Sequence, residues 1–287
     1  MASFQSTIIW AEEWTTKIQE MLDEPNKFKD ICRVEYTDDR VLHNPYLTDP
    51  TVETHTRQCP YCWKSVTITD DYITINTSAI VAVQIDRADL AQQTFLRQME
   101  LAEREGILLN ERLEAAVYAA YGSMTSFDNT QIGGAAGNIT VSATNIDDII
   151  RAIKREIREA NGEGLLERNG GFVVWRPADL EILEGFMQAN GFVTADTALG
   201  KGVVQGINYM GLTHYSSNLL TAGHVIAGVK KLLHIGILKT TYGQIVIDEN
   251  PSDSSGTYSA IGVVSRVDYA VKIWTNVLPV VFNITVA

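Results

Sequence analysis

The chain is poor in cysteine, in basic charge and in long apolar runs. Cys32, Cys59 and Cys62 are its only cysteines in 287 residues. So few, and an odd number, argue against a disulfide framework and fit a reducing compartment. Lys and Arg total 23 against 35 Asp and Glu, a net charge of −12. Wrapping nucleic acid needs clustered cations, so direct binding to a phosphate backbone is not expected. The acidic balance suits solubility. No run of about 18 apolar residues is present, so no segment reads as a membrane-spanning helix. The opening MASFQSTIIWAEEW has neither a basic leader nor an apolar h-region. It does not read as a secretory signal, and a cytoplasmic site of synthesis is expected.

Catalytic signatures are also missing. There is no Gly-x-Ser-x-Gly elbow and no Walker loop. Ser216 and Ser217 near His214 lack a triad context, and His224 and His234 read as ordinary polar side chains. Gly200-Lys201-Gly202 runs into Val203-Val204-Gln205-Gly206, out of step for a dinucleotide loop and ahead of a strand instead of a helix. Asp147 and Asp148 fall where a helix dipole favours acids, which explains them without acid–base chemistry. No enzymatic activity is expected.

One motif stands out. Cys59-Pro60-Tyr61-Cys62 matches a glutaredoxin dithiol. There the first thiol caps a helix, whose N-terminus stabilises the thiolate. Here Trp63-Lys64-Ser65-Val66-Thr67-Ile68-Thr69 follows, a strand pattern with no βαβ unit around it. An inert loop is the expectation. The alternative is metal: His55, Cys59 and Cys62 are three zinc candidates, and a structural site needs four ligands. Cys32 and His43 are candidate fourth ligands across the hairpin. A redox or zinc-binding protein centred on Cys59 and Cys62 is therefore the alternative of a different class. No cofactor is otherwise expected.

The remaining pattern is architectural. Trp10, Trp14, Ile18 and Met21/Leu22 recur at helical spacing and Pro25 ends the run. Such a helix needs a partner surface, on its own domain or on a neighbouring subunit. Residues 31–85 alternate as strands at Val66-Thr67-Ile68-Thr69 and Tyr72-Ile73-Thr74-Ile75, with turn signals at Asn44-Pro45, Asp49-Pro50 and Cys59-Pro60. This predicts a long hairpin with too few apolar residues to stand alone. Residues 86–121 carry a continuous stripe: Phe95, Met99, Ala102, Gly106, Leu109, Leu113, Ala116 and Ala120. Asp86 or Asp89 would cap this helix and Gly122 would end it. At 1.5 Å per residue the rod is about 50 Å long. Gly106 on the stripe points to a bend or a close backbone crossing. A Gly, Ser, Asn and Thr-rich loop covers 122–144. Then come a helix over 145–161 with an isoleucine face, a buried strand Phe172–Trp175 and a helix near 178–190. Short strands follow, ending in a closing run from Leu278 to Val286.

That order of parts resembles the Hong Kong 97 fold of tailed-phage major capsid proteins. The helix 145–161 followed by Phe172-Val173-Val174-Trp175-Arg176-Pro177-Ala178-Asp179-Leu180 looks like the family's helix–strand–Pro–helix passage. Gly206-Ile207-Asn208-Tyr209-Met210-Gly211 through Ser216-Ser217-Asn218-Leu219 resembles its next hairpin and turn. Ala222-Gly223-His224 through Lys230-Lys231, then Gly262-Val263 to Val271 with Val277-Leu278-Pro279, resemble the remainder. The resemblance implies an α+β fold. Its parts would be an N-terminal arm over 1–30, an extended E-loop hairpin over 31–85 and a P domain with its spine helix over 86–200. An A domain would cover 201–270, and a C-terminal strand over 271–287 would return to the P domain. It also implies a structural function. Pentamers and hexamers of this chain would close an icosahedral shell around double-stranded DNA, without sequence-specific binding and without a membrane. The acidic wall would then avoid sticking to its contents. A portal protein and, optionally, scaffolding or decoration proteins would be the partners, with assembly in the host cytoplasm and a final place in the virion. No coiled-coil segment precedes the arm, so any scaffold is expected as a separate protein. A Lys–Asn cross-link is not carried over. An encapsulin-like nanocompartment shell is the alternative within the fold.

Overall fold

The computed structural model describes residues 4–23, 26–47, 65–86, 95–190, 206–248, 251–253, 256–257 and 260–287. Helix α1 is Phe4–Asp23 and α2 is Lys27–Ile31. Strands β1 (Arg33–Thr37), β2 (Val41–Leu47), β3 (Ile68–Thr74) and β4 (Thr77–Asp86) follow. Helix α3 runs Phe95–Ala119 and ends in a 3-10 turn over Ala120–Ser123. Strand β5 is Thr125–Phe127, α4 is Ile146–Glu159, α5 is Glu163–Asn169, β6 is Gly171–Trp175 and α6 is Pro177–Ala189. The remaining strands are β7 (Ile207–Tyr209), β8 (Leu212–Ser216), β9 (His224–Val229), β10 (Leu233–Leu238), β11 (Gln244–Asp248), β12 (Ser252–Asp253), β13 (Gly256–Thr257), β14 (Ala260–Ile273) and β15 (Val281–Thr285).

Two sheets organise the chain. In the first, β14 is a long centre strand. Strand β4 pairs antiparallel along one side of it, Thr77 to Asp86 against Tyr269 to Ala260. Strands β10 and β11 share the other side, and β1 adds in parallel to β10. The second sheet has the order β5-β15-β9-β6-β8-β7. All five residues of β6 are buried, so this sheet is covered on both faces. Phe172 and Val174 join a core with Leu113, Val117 and Tyr118 of α3. Val173 and Trp175 face the other way, into a core with Ile149, Ile150 and Ile153 of α4 and Leu183 and Met187 of α6. A strand buried on both faces reads as an unbroken apolar run, which is what Phe172–Trp175 shows.

Helix α1 lies across α3. Trp14, Ile18 and Leu22 are buried in the same core as Ala102, Leu109 and Leu113, and Met21 is buried as well. The partner surface for this helix is therefore its own domain; the side chain of Trp10 lies outside the described ones. Gly106 is the close crossing. A Cβ there would stand 2.6 Å from Met21 Cβ. The apolar stripe on α3 captures only part of its buried surface, because Glu105, Asn110, Glu114, Val117 and Tyr118 are buried too.

Two expectations need correction. The hairpin does not fill 31–85: only β2 and β3 form the two-stranded ribbon, while β1 and β4 belong to the first sheet. Asp86 ends β4 and caps no helix; Asp89 lies outside the described residues. Residues 87–94 lie outside the described ones; the described part of the rod, 25 residues, is about 38 Å long. The first sheet draws strands from both sides of the divisions at 85, 200 and 270, and the second from both sides of those at 200 and 270. The first takes β1 and β4 with β10, β11 and β14, and the second takes β5 and β6 with β7, β8, β9 and β15. Strand pairing joins segments far apart in the chain, so a division into consecutive pieces cannot follow it.

Candidate assembly surfaces

Among the described residues, the ribbon presents an apolar face that its own fold leaves uncovered. Register pairs Val41 with Thr74, His43 with Tyr72, Pro45 with Asp70 and Leu47 with Ile68. Opposed residues share a face. Every one of these eight is exposed. Four are large hydrophobic side chains: Leu47 is 62% exposed, Ile68 68%, Tyr72 55% and Val41 37%. Covering one such aliphatic side chain is worth about 1.5–3 kcal/mol. The polar members interlock: His43 Nδ1 lies 2.7 Å from Asp70 Oδ2.

The opposite face of the ribbon is anchored at its root. Ile73 is buried, and Leu42 and Ile75 reach over Gly236 of β10, where a Cβ would meet Leu42 Cδ1 at 2.7 Å. The amide of Ile75 donates to the Arg40 carbonyl at 2.8 Å, closing the root. Asp71, also on this face, accepts from the Lys272 ammonium, from the Thr275 amide at 3.0 Å and from the Thr275 hydroxyl at 3.1 Å. Burial alone would raise the Asp71 carboxyl, but Lys272 and Thr275 outweigh it and hold it below the usual range.

The buried polar groups elsewhere act as pins between elements. Glu105 of α3 accepts from Trp14 Nε1 of α1 at 3.1 Å and from the Ser265 hydroxyl of β14 at 2.5 Å. Burial pushes its carboxyl up against those two bonds. Asn110 donates to the Met21 carbonyl at 3.3 Å. Glu114 accepts from the Ser217 hydroxyl at 2.8 Å, tying α3 to the turn after β8. His214 is fully buried; its Nδ1 accepts from Trp175 Nε1 at 2.9 Å, and burial drives its pKa down to about 4. His214 is thus a neutral core histidine. His224 Nδ1 sits 2.9 Å from Asn283 Oδ1, and its ring stacks on Tyr121.

The metal and redox candidates His55, Cys59 and Cys62 lie outside the described residues. Of their candidate partners, Cys32 is fully buried in the main core and burial pushes its thiol up, away from the thiolate a metal needs. His43 is on the exposed face of the ribbon, engaged with Asp70. The structure gives these two different surroundings. Among the described residues, no group of three or more His, Cys, Asp or Glu is placed to hold a metal ion. No described helix is long and apolar enough to cross a membrane.

Neither family profiles nor curated proteins match the sequence. Solved structures do. The bacteriophage PhiM1 mature capsid aligns over 88% of this chain and 85% of its own, at 14% identity and a TM-score of 0.59. The capsid of cyanophage P-SCSP1u aligns over 91% and 88%, at 11% identity and 0.59. A virus-like particle from Pyrococcus furiosus aligns over 96% and 99%, at 8% identity and 0.58. The chain has the Hong Kong 97 capsid fold. Within that fold the β2–β3 ribbon is the E-loop, α3 is the spine helix and α1 belongs to the N-terminal arm. Buried polar pins on the spine helix escaped the reading of the sequence, because a Glu or Asn inside an amphipathic pattern looks like part of the solvated face. The nearest sequence signal was Gly106, which marks where the arm helix crosses.

Proposed function

We propose that this chain is a major capsid protein that self-assembles, through pentamers and hexamers, into an icosahedral shell enclosing double-stranded DNA. The observation that carries the reading is the E-loop face. Its register presents Val41, Tyr72, Leu47 and Ile68 together to solvent. A two-stranded ribbon is marginal in water by itself, and the described residues of this one are anchored to the body at the root. Repeated burial of that face on neighbouring copies supplies the association energy, and many moderate contacts add through avidity. The net charge of −12 supports a wall that confines DNA without adhering to it. No catalytic step is needed. On this reading the protein is assembled in the host cytoplasm and ends in the virion, with a portal as partner and scaffolding or decoration proteins as optional ones.

Negative-stain microscopy of the purified chain, alone and with the scaffold and portal from its gene neighbourhood, tests the reading. Megadalton shells are expected. A chain that stays monomeric under both conditions would sink it. A second reading, a nanocompartment that holds protein cargo, draws on the nearly complete two-way coverage of the Pyrococcus furiosus particle. Nuclease-protected DNA inside native particles decides for the capsid; packaged protein without DNA decides for the compartment.

A further inference from the structure

The first sheet carries a row of basic groups on the face that the E-loop root covers. Register places Arg33 of β1 opposite His234 of β10, and His234 opposite Lys272 of β14. Opposed residues share a face; burial lowers the pKa of His234, so the fixed charges of the row are Arg33 and Lys272. Glu35 answers two members of the row: its carboxylate lies 2.9 Å from His234 Nε2 and 3.5 Å from Arg33. The counter-charge for Lys272 comes from the E-loop instead, as Asp71. Lys272 also donates to the Tyr72 carbonyl at 2.7 Å, and its ammonium lies 5.6 Å from the ring centres of Tyr72 and Trp274. Trp274 in turn meets the His234 ring edge-on, with centroids 5.1 Å apart.

Two more features bear on what this cluster does. Asp71 has only 12% of its side chain exposed, so salt screens the pair weakly. Beside it lies a cleft of about 420 Å³ between the E-loop root, Arg112 and Ala116 of the spine helix, and Tyr269 and Lys272 of β14. The ribbon is therefore fastened on one side and has open room on the other. Its apolar root over Gly236 is non-directional and permits rocking. The hydrogen bonds of Asp71 to Lys272 and Thr275 are directional and do not.

We infer that Asp71, Lys272 and Thr275 form a clamp that sets the angle of the E-loop to the body, and through that angle the curvature of the shell. The curvature half rests on the capsid reading above; the clamp itself does not. The test uses the full chain with Asp71→Asn, Lys272→Met and the charge-preserving Lys272→Arg. Hydrogen exchange is followed below the concentration at which particles form, and particle diameters are measured above it. In Asp71→Asn and Lys272→Met, amides of β2 and β3 should exchange at least tenfold faster, while those of β6, β14 and α3 stay as in the parent. Lys272→Arg should keep the parental rates. Particles of the first two variants should lose their uniform diameter. Unchanged ribbon exchange in both variants would overturn the clamp. Faster exchange with parental diameters would overturn its control of curvature. A parent chain that forms no particles would count against the capsid reading, while the exchange arm would still decide the clamp.

Discussion

Glu105 shows how much one buried carboxylate can hold. It takes the Trp14 indole N–H and the Ser265 hydroxyl on the same oxygen, so one side chain pins α1, α3 and β14 together. Glu105→Ala removes the acceptor that two buried donors share, which should cost about 2–4 kcal/mol. Chemical denaturation of the unassembled chain measures this, and a loss below about 0.5 kcal/mol would contradict the pin. His214 gives a pH dependence with a definite sign. Burial holds its folded pKa at about 4 against an ordinary 6.5. Between those values the unfolded chain binds a proton that the folded chain refuses, so stability falls as the pH drops through that window. Relative to His214→Gln, which does not titrate, the parent should lose about 3 kcal/mol between pH 6.5 and 4. Parallel stability curves for the two proteins would refute it.

At the scale of elements, the crossing of α1 over α3 is the contact most sensitive to a small change. Alanine is the better helix former by about 1 kcal/mol, so Gly106→Ala would stabilise an isolated α3. In the folded chain its Cβ meets Met21 Cβ at 2.6 Å and the Ile18 carbonyl at 3.2 Å. Both belong to a packed helix that cannot yield cheaply. The substitution should destabilise by about 1–3 kcal/mol. It should also raise exchange at the amides of α1 before those of β6. A gain in stability would show that α1 is loosely held. The ribbon is the opposite case, an element whose strands pair with each other and touch the body at one end. Its stability depends on Leu42 and Ile75 over Gly236, on buried Ile73 and on the Asp71 cluster, not on its own length.

On the scale of the whole molecule, folding and association use different surfaces. The two cores lie beneath the sheets and around α3, whereas the exposed row Val41, Tyr72, Leu47 and Ile68 contributes to neither. A double substitution, Leu47→Asp with Ile68→Asp, should therefore leave the melting temperature of the unassembled chain within about 2 °C of the parent. It should abolish particles in sedimentation or light scattering, because buried unpaired carboxylates at every repeated contact outweigh the association energy. Normal shells from this variant would remove the E-loop face from the assembly interface.

The sequence by itself determined the elements whose partners lie close along the chain. The isoleucine face of Ile146–Glu159, the apolar run at Phe172–Trp175 and the arm helix ending near Pro25 all follow from spacing. Their side chains repeat with the period of one helix or strand, and that period is local information. It also determined the order of parts, enough to point to the capsid fold. Only the tertiary structure decided which strands share a sheet, because β1, β4, β10, β11 and β14 meet across nearly the whole chain. It alone showed that α1 docks on its own spine helix, since an apolar helical face looks the same whether its partner is internal or a neighbour. It also divided residues 31–85 into two strands of the body and a ribbon. Alternation marks a strand, but it does not say which faces will be covered, and that difference separates the surface that folds this protein from the surface proposed to assemble it.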